Sequence, residues 1–299
     1  MLVGPGDDAG VHLIGDQALV ETVDVITPVV NDPFTFGAIS AANSISDVYA
    51  MGGRPLTALA IAGFPSCDYE PAVLREVIKG AVSTLKRAGA VLIGGHSFQN
   101  DEMKFGLSVT GVIDKERILR ANTAAEGDVI IMTKPLGIGI LTTALKGCKL
   151  TDAEMGKAIE WMLTLNEGAS GLALLAKASA CTDITGFGLL GHCINMLAGA
   201  SLDFVIYNDR VPVMDKVYEM IDGGMVPEGA YHNLRFLHDK VEFPGDLSEE
   251  RKLLLSDPQT SGGLLITMRQ SGLEVFEKAG AYYAVIGKVV KGAGKVIVQ

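Results

Sequence analysis

The strongest constraint on the fold lies between Leu56 and His96, where the hydrophobic period changes twice. "LTALAIAGF" (Leu56 to Phe64) is an apolar run of strand length. "PAVLREVIKGAVSTLKRAG" (Pro71 to Gly89) places apolar residues at 73, 74, 77, 78, 82 and 85, the spacing of an amphipathic helix. "AVLIGGH" then returns to a strand. Upstream, "QALVETVDVI" (Gln17 to Ile26) is β-rich, and "FTFGAISAANSISDVYAMGG" reads as a helix of small residues stopped by Gly52 and Gly53. "KFGLSVTGVI" adds a further strand. Strands alternating with helices predict an α/β module for the N-terminal third.

The polar stretch "DKERILRANTAAEGD" (Asp114 to Asp128) marks a boundary, giving an N-terminal α/β domain over 1–118 and a C-terminal α+β domain over 126–299. The second domain restarts with the buried strand "DVIIMT" and the glycine-rich turn "KPLGIG". "TDAE" (Thr151 to Glu154) has the form of a capping box and predicts a long helix. "ITGFGLLGHCINML", the strand "LDFVIY" and "DPQTSGGLLITM" follow.

With 48% hydrophobic and 20% charged residues, either half can bury a core, which excludes global disorder. The 36 glycines, without a collagen period, indicate many turns and close backbone approaches. Cys67, Cys148, Cys181 and Cys193 form no C-x-x-C pair, which fits a reducing, cytoplasmic setting rather than a zinc knuckle or disulfide framework. No run reaches bilayer-spanning length, so no membrane partner is expected. A net charge of −10 argues against nucleic acid. An acidic chain can still bind a polyphosphate, but its carboxylates then need bridging cations.

That condition directs attention to the carboxylates. Asp7 and Asp8 sit in "GPGDDAG", Asp24 closes a β-rich segment, and Asn43 and Asp47 share one helical face. Asp183 precedes a helical segment in "CTDITGFG". Oxygen ligands from separate elements suit magnesium, although turn formation and N-capping also account for each acid taken singly. "IGGH" (Ile93 to His96) is either an anion-binding nest or an ordinary strand-to-loop turn. "KPLGIG" is equally open, and neither a P-loop nor a G-x-G-x-x-G pattern is present. In "DPQTSGG", Gln259, Thr260 and Ser261 either orient a ligand or serve the turn. On the apolar pattern of "LLGHCINML", Cys193 reads as core and His192 as a hydrogen-bonded, semi-buried histidine.

Taken in order, "GDDAGV", "VDVITPVVNDPFTFG", "ANSISDVYAMGGRP", "GGHS", "FGLSVTG", "TKPLGIG", "TDITGFGLLGH" and "DPQTSGGLL" closely resemble the selenophosphate synthetase family, within the aminoimidazole ribonucleotide synthetase-like superfamily. The resemblance implies a two-domain fold, α/β plus α+β, whose N-terminal domain dimerises through its sheet and whose C-terminal domain covers the nucleotide. It implies ATP-dependent conversion of selenide and water to selenophosphate, with release of AMP and orthophosphate. By motif, Asp8, Asp47 and Asp183 are expected metal ligands for several magnesium ions. Asp7, Asp24, Asp47, Gly94, Gly95 and His96 are expected at the nucleotide, with Asn43 added on helical spacing. Potassium and a selenium-delivery protein are further expectations of the resemblance.

The family's reactive cysteine or selenocysteine, and the lysine three residues after it, have no match here, since no lysine precedes Lys79. Both are expected upstream of Met1, which makes this chain a core that binds Mg-ATP with little activity. The alternatives are a related enzyme that passes phosphate to another acceptor and releases ADP, and a non-catalytic nucleotide-binding homologue.

Overall fold

Along Gln17–Ile26 the residues alternate. Ala18 and Val20 are buried while Glu21, Val23 and Val25 are exposed, so only one face of this strand packs against a core. The computed structural model, which describes residues 1–299, builds the rest of the first unit on that asymmetry. The chain divides into two units: Met1–Ile118 with Asp152–Glu167, and Leu119–Thr151 with Gly168–Gln299.

In the first unit the elements are β1 (Gly10–Ile14), β2 (Gln17–Ile26), α1 (Pro33–Ala50), β3 (Arg54–Phe64), α2 (Pro71–Arg87), β4 (Val91–Gln99) and β5 (Lys104–Ile113). The five strands form one sheet in the order β1-β2-β5-β3-β4. Helix α1 begins with Pro33 at its first position, and the Asp32 carboxylate caps it by accepting from Thr35 N–H at 2.8 Å. Its small residues let α2 approach closely. A Cβ on Gly37 would lie 1.8 Å from the Val77 carbonyl oxygen, and one on Gly80 would lie 1.9 Å from that of Phe34. The two glycines are therefore required by helix contact.

The chain continues through β6 (Val129–Met132), α3 (Ile138–Lys146), α4 (Gly156–Leu163), α5 (Glu167–Leu175), β7 (Ala180–Asp183), α6 (Gly188–Met196) and β8 (Leu202–Ile206). It closes with α7 (Val217–Asp222), α8 (Glu228–Phe236), β9 (Val241–Glu242), α9 (Glu249–Leu255), β10 (Leu264–Met268), α10 (Leu273–Ala279), β11 (Ala284–Lys291) and β12 (Val296–Val298). The second sheet runs β7-β10-β6-β11-β8-β12-β9. Strand β10 pairs antiparallel with both β6 and β7, Leu265 opposite Met132 and Leu264 opposite Asp183. The loops after β6, after β7 and before β10 consequently gather at one end of the second sheet.

Two sequence expectations change. The long helix expected from Thr151 to Glu154 starts only at Gly156, with Met155 as an N-cap whose side chain makes no capping bond. Asp152 instead accepts from the Asn31 amide at 3.1 Å, a tertiary tie that competes with local capping. Helix α4 packs with α1, so this stretch of the 126–299 region belongs by packing to the first unit. The second change concerns "IGGH": the strand read through "AVLIGGH" does not turn into a loop there but continues to Gln99.

Candidate functional site

Two elements of the first unit set its polar cluster. Residues four apart on a helix are separated by about 6 Å along its axis, and residues two apart on a strand by about 6.7 Å. Asn43 and Asp47 of α1 therefore meet the inward-facing Asp24 and Thr22 of β2 pair by pair. The Asn43 amide donates to Asp24 Oδ2, and the Thr22 hydroxyl donates to Asp47 Oδ2 at 2.5 Å. Asp24 Oδ1 accepts from Val25 N–H at 3.0 Å, and the Ser44 hydroxyl donates to the Asp24 carbonyl at 3.1 Å. Burial raises the Asp24 carboxyl above its usual value, opposed by the bonds from Val25 and Asn43.

Asp8 joins this cluster from the N-terminal turn, and its ligand oxygen lies within 4.8 Å of that of Asp47. Two carboxylates held this close repel each other, and a hard cation that binds oxygen relieves the repulsion. The pair thus fits magnesium by donor type and by spacing. Asp7 stands beside it, half-buried, its carboxylate accepting from Asp8 N–H at 3.3 Å.

Gly94, Gly95 and His96 lie elsewhere in this unit. Through the strand register, Asp24, Leu107, Ala60 and Gly95 stand on one line across β2, β5, β3 and β4. Three strand spacings put Gly95 roughly 14 Å from Asp24. Strand β4 is the exposed sheet edge, and the register shifts between Ala58 and Leu59 as it passes Ile93. A Cβ on Gly95 would lie 2.2 Å from the Ala60 carbonyl oxygen, so its glycine is explained by strand contact.

In the second unit Asp183 ends β7, almost wholly buried, opposite Leu264. Its negative charge acts on Lys134, whose ammonium burial pushes down to about 7. Lys134 Nζ also donates to the Ser261 carbonyl at 2.7 Å, joining "TKPLGIG" to "DPQTSGG". Gln259 continues that junction. Its Oε1 accepts from Gly137 and Ile138 N–H at 3.3 and 3.2 Å, while its Nε2 donates to Asp257 Oδ2 at 2.8 Å. Asp257 Oδ2 accepts from Gly139 N–H at 3.1 Å. The amides at the start of α3 are satisfied by the protein's own side chains, which closes the question left by "KPLGIG": it is not a phosphate cradle. Gln259 likewise serves this junction rather than a ligand.

Sequence reasoning missed Thr22 and Lys134. Thr22 was accessible as the inward neighbour of Asp24 two residues earlier on β2. Lys134 carried no signal, because a lysine after a strand is ordinarily exposed. Cys193 is core as expected, and His192 is more deeply buried than expected, at 5% exposure.

Two family models match the chain, "AIR synthase related protein, N-terminal domain" over residues 6–113 and "AIR synthase related protein, C-terminal domain" over 125–299, the latter including the Asp152–Glu167 stretch that packs with the first unit. Among solved structures, AaThiL complexed with AMPPCP and TMP superposes with a TM-score of 0.73 at 18% identity, over 98% of this chain and 87% of that one, a likeness of fold. Fold and matched domains define an aminoimidazole ribonucleotide synthetase-type protein. Curated relatives narrow the class. The selenide, water dikinase of Citrifermentans bemidjiense is 48% identical over 98% of this chain and 86% of its own length. That of Geobacter metallireducens is 48% identical over 97% and 86%. The chain belongs to the selenide, water dikinase family.

Proposed function

We propose that this chain makes selenophosphate from ATP, selenide and water, releasing AMP and orthophosphate. The likeness along nearly the whole chain to proteins named selenide, water dikinase carries the reading. The acidic clusters support it. Phosphoryl transfer needs positioning and charge neutralisation more than covalent help, and carboxylates meet a triphosphate only through bridging cations.

Asp8, Asp47 and Asp183 are the proposed ligands of several magnesium ions, which when bound would neutralise charge on the transferred phosphoryl group. Asp7, Asp24 and Asp47 are proposed on the nucleotide side, with Asn43 fixing Asp24 by its amide bond. Residues 1–118 are the proposed ATP-binding and dimerisation domain, and 126–299 the domain that covers the nucleotide. Potassium as a further cation, a selenium-delivery protein and a cytoplasmic location complete the reading. No helix is long and apolar enough to cross a membrane.

The proposed assembly is a homodimer through the first sheet. Val23, Leu59, Val91, Ile93 and Phe98 are exposed on that sheet, Val91 and Ile93 at 60% and 61%. Apolar side chains grouped on one sheet in this way suit an interface with a like surface. Gly94, Gly95 and His96 lie on the exposed edge strand and are proposed to serve the nucleotide within that dimer.

Phosphorus NMR of the chain incubated anaerobically with ATP, magnesium and selenide tests the function. Selenophosphate, AMP and orthophosphate in equal amounts are expected, formed slowly, since the family's reactive residue and lysine have no match in this sequence. ADP as the main product points instead to another acceptor, and ATP binding without turnover to a non-catalytic homologue.

A further inference from the structure

His192 stands on α6 and carries none of the roles assigned above, and its ring bonds the chain on both sides of Asp183. Nε2 accepts from Thr185 N–H at 3.1 Å and lies 3.3 Å from the Thr185 hydroxyl. Nδ1 lies 3.4 Å from the Thr182 hydroxyl. A backbone N–H can only donate, so Nε2 carries no proton, and the neutral ring holds its proton on Nδ1, toward Thr182. The Phe187 ring sits beside it, centroids 5.9 Å apart. Two further backbone groups after Asp183 are also engaged. Ile184 N–H donates to the Gly263 carbonyl at 2.9 Å, and Gln259 N–H donates to the Thr185 carbonyl at 3.0 Å. Thr185 is thus held at its N–H by His192 and at its C=O by the 257–263 loop.

We propose that His192 is a positioning residue that presets Asp183 for a cation by fixing Thr182 and Thr185 on either side of it. The inference rests on the reading of Asp183 as a cation ligand and adds a residue that touches neither cation nor nucleotide. A ring that only filled core volume would be replaceable by another apolar ring. A ring that positions through two hydrogen bonds is replaceable only by a side chain that restores them. Partners that orient a ligand from outside the coordination shell are typically worth 10–100-fold in metal affinity.

The test uses the full chain and manganese(II) alone as probe, followed by electron paramagnetic resonance of the free ion. His192→Phe is expected to weaken manganese binding about tenfold and to speed exchange of the Thr185 amide proton. His192→Gln, which returns an acceptor oxygen for the Thr185 N–H, is expected to recover much of both losses. Nitrogen NMR of the native ring is expected to place the proton on Nδ1. Asp183→Asn separates the two readings. If it leaves manganese binding unchanged, the assignment of Asp183 is wrong. If it weakens binding while His192→Phe does not, the positioning role is wrong. Should His192→Phe fail to fold, Thr182→Val removes the Nδ1 partner together with that hydroxyl's 3.3 Å bond to the Asp183 carbonyl, and unchanged manganese affinity in that variant overturns the proposal.

Discussion

The Thr22 hydroxyl donates to Asp47 Oδ2 at 2.5 Å, so the carboxylate proposed to bind metal is oriented by a strand residue that contributes no charge. Thr22→Val keeps the shape and removes the donor. The magnesium concentration for half-maximal rate should rise roughly tenfold, the lower end of losses for such outer partners, with little change in kcat at saturating metal. A magnesium titration at fixed ATP checks this, and an unchanged midpoint removes Thr22 from the site.

Asp47→Asn retains volume and the ability to accept from Thr22 but removes a negative charge beside Asp8. We expect AMP release to fall more than roughly a hundredfold in kcat/KM, beyond what an outer-shell partner gives. The far-ultraviolet circular dichroism should match the native chain, which separates a lost ligand from a lost fold.

Gly37→Ala and Gly80→Ala each drive a methyl into backbone of the facing helix, at 1.8 and 1.9 Å. Helices α1 and α2 must separate, with a cost of at least about 1–3 kcal/mol. Urea denaturation should show a lower midpoint for either variant. A native midpoint would mean the helices are less closely packed than described.

Burial pushes the Asp257 carboxyl up to about 8, well above its unfolded value, while Oδ1 has no hydrogen-bond partner. Between about pH 4 and 8 the folded chain therefore keeps a proton that the unfolded chain releases. From this group, stability is full below about pH 4, declines as pH rises and has lost its contribution above about 8. Asp257→Asn keeps an acceptor for Gly139 N–H and cannot titrate, so its stability should vary less over that window. Denaturant midpoints at pH 5 and pH 8 for both chains make the comparison.

Ile93→Asp places a charge among the exposed apolar residues of the first sheet. Light scattering after size exclusion should give a dimer for the native chain and a shift toward monomer for the variant. A native monomer at micromolar concentration would rule out the proposed assembly.

The periodicities that located β3 and α2 were legible because burial alone decides them. The pairing of Asn43 and Asp47 was legible too, since helical spacing is a local property. Thr22 was not, because only the register of β2 against α1 reveals what its hydroxyl meets. Gly95 shows a deeper limit. A glycine needed to let phosphate approach and one needed to let Ala60 approach leave the same letter in the sequence. "KPLGIG" stayed open in the sequence for a related reason, since its amides are satisfied by Asp257 and Gln259, more than a hundred residues downstream. Lys134 was invisible because the charge that acts on it, Asp183, is also distant along the chain.

The first unit is written in two pieces, and its second piece, Asp152–Glu167, follows 33 residues of the other unit, Leu119–Thr151. Asn166 ties to Ser46 at 2.9 Å, and Arg87 donates to the Leu163 carbonyl at 3.1 Å. A nascent chain that has emerged from the ribosome only as far as residue 118 still lacks α4, which packs on α1 beside α2. The N-terminal half thus waits, during its own synthesis, for a stretch encoded well beyond it, and no single protease cut can release either unit whole.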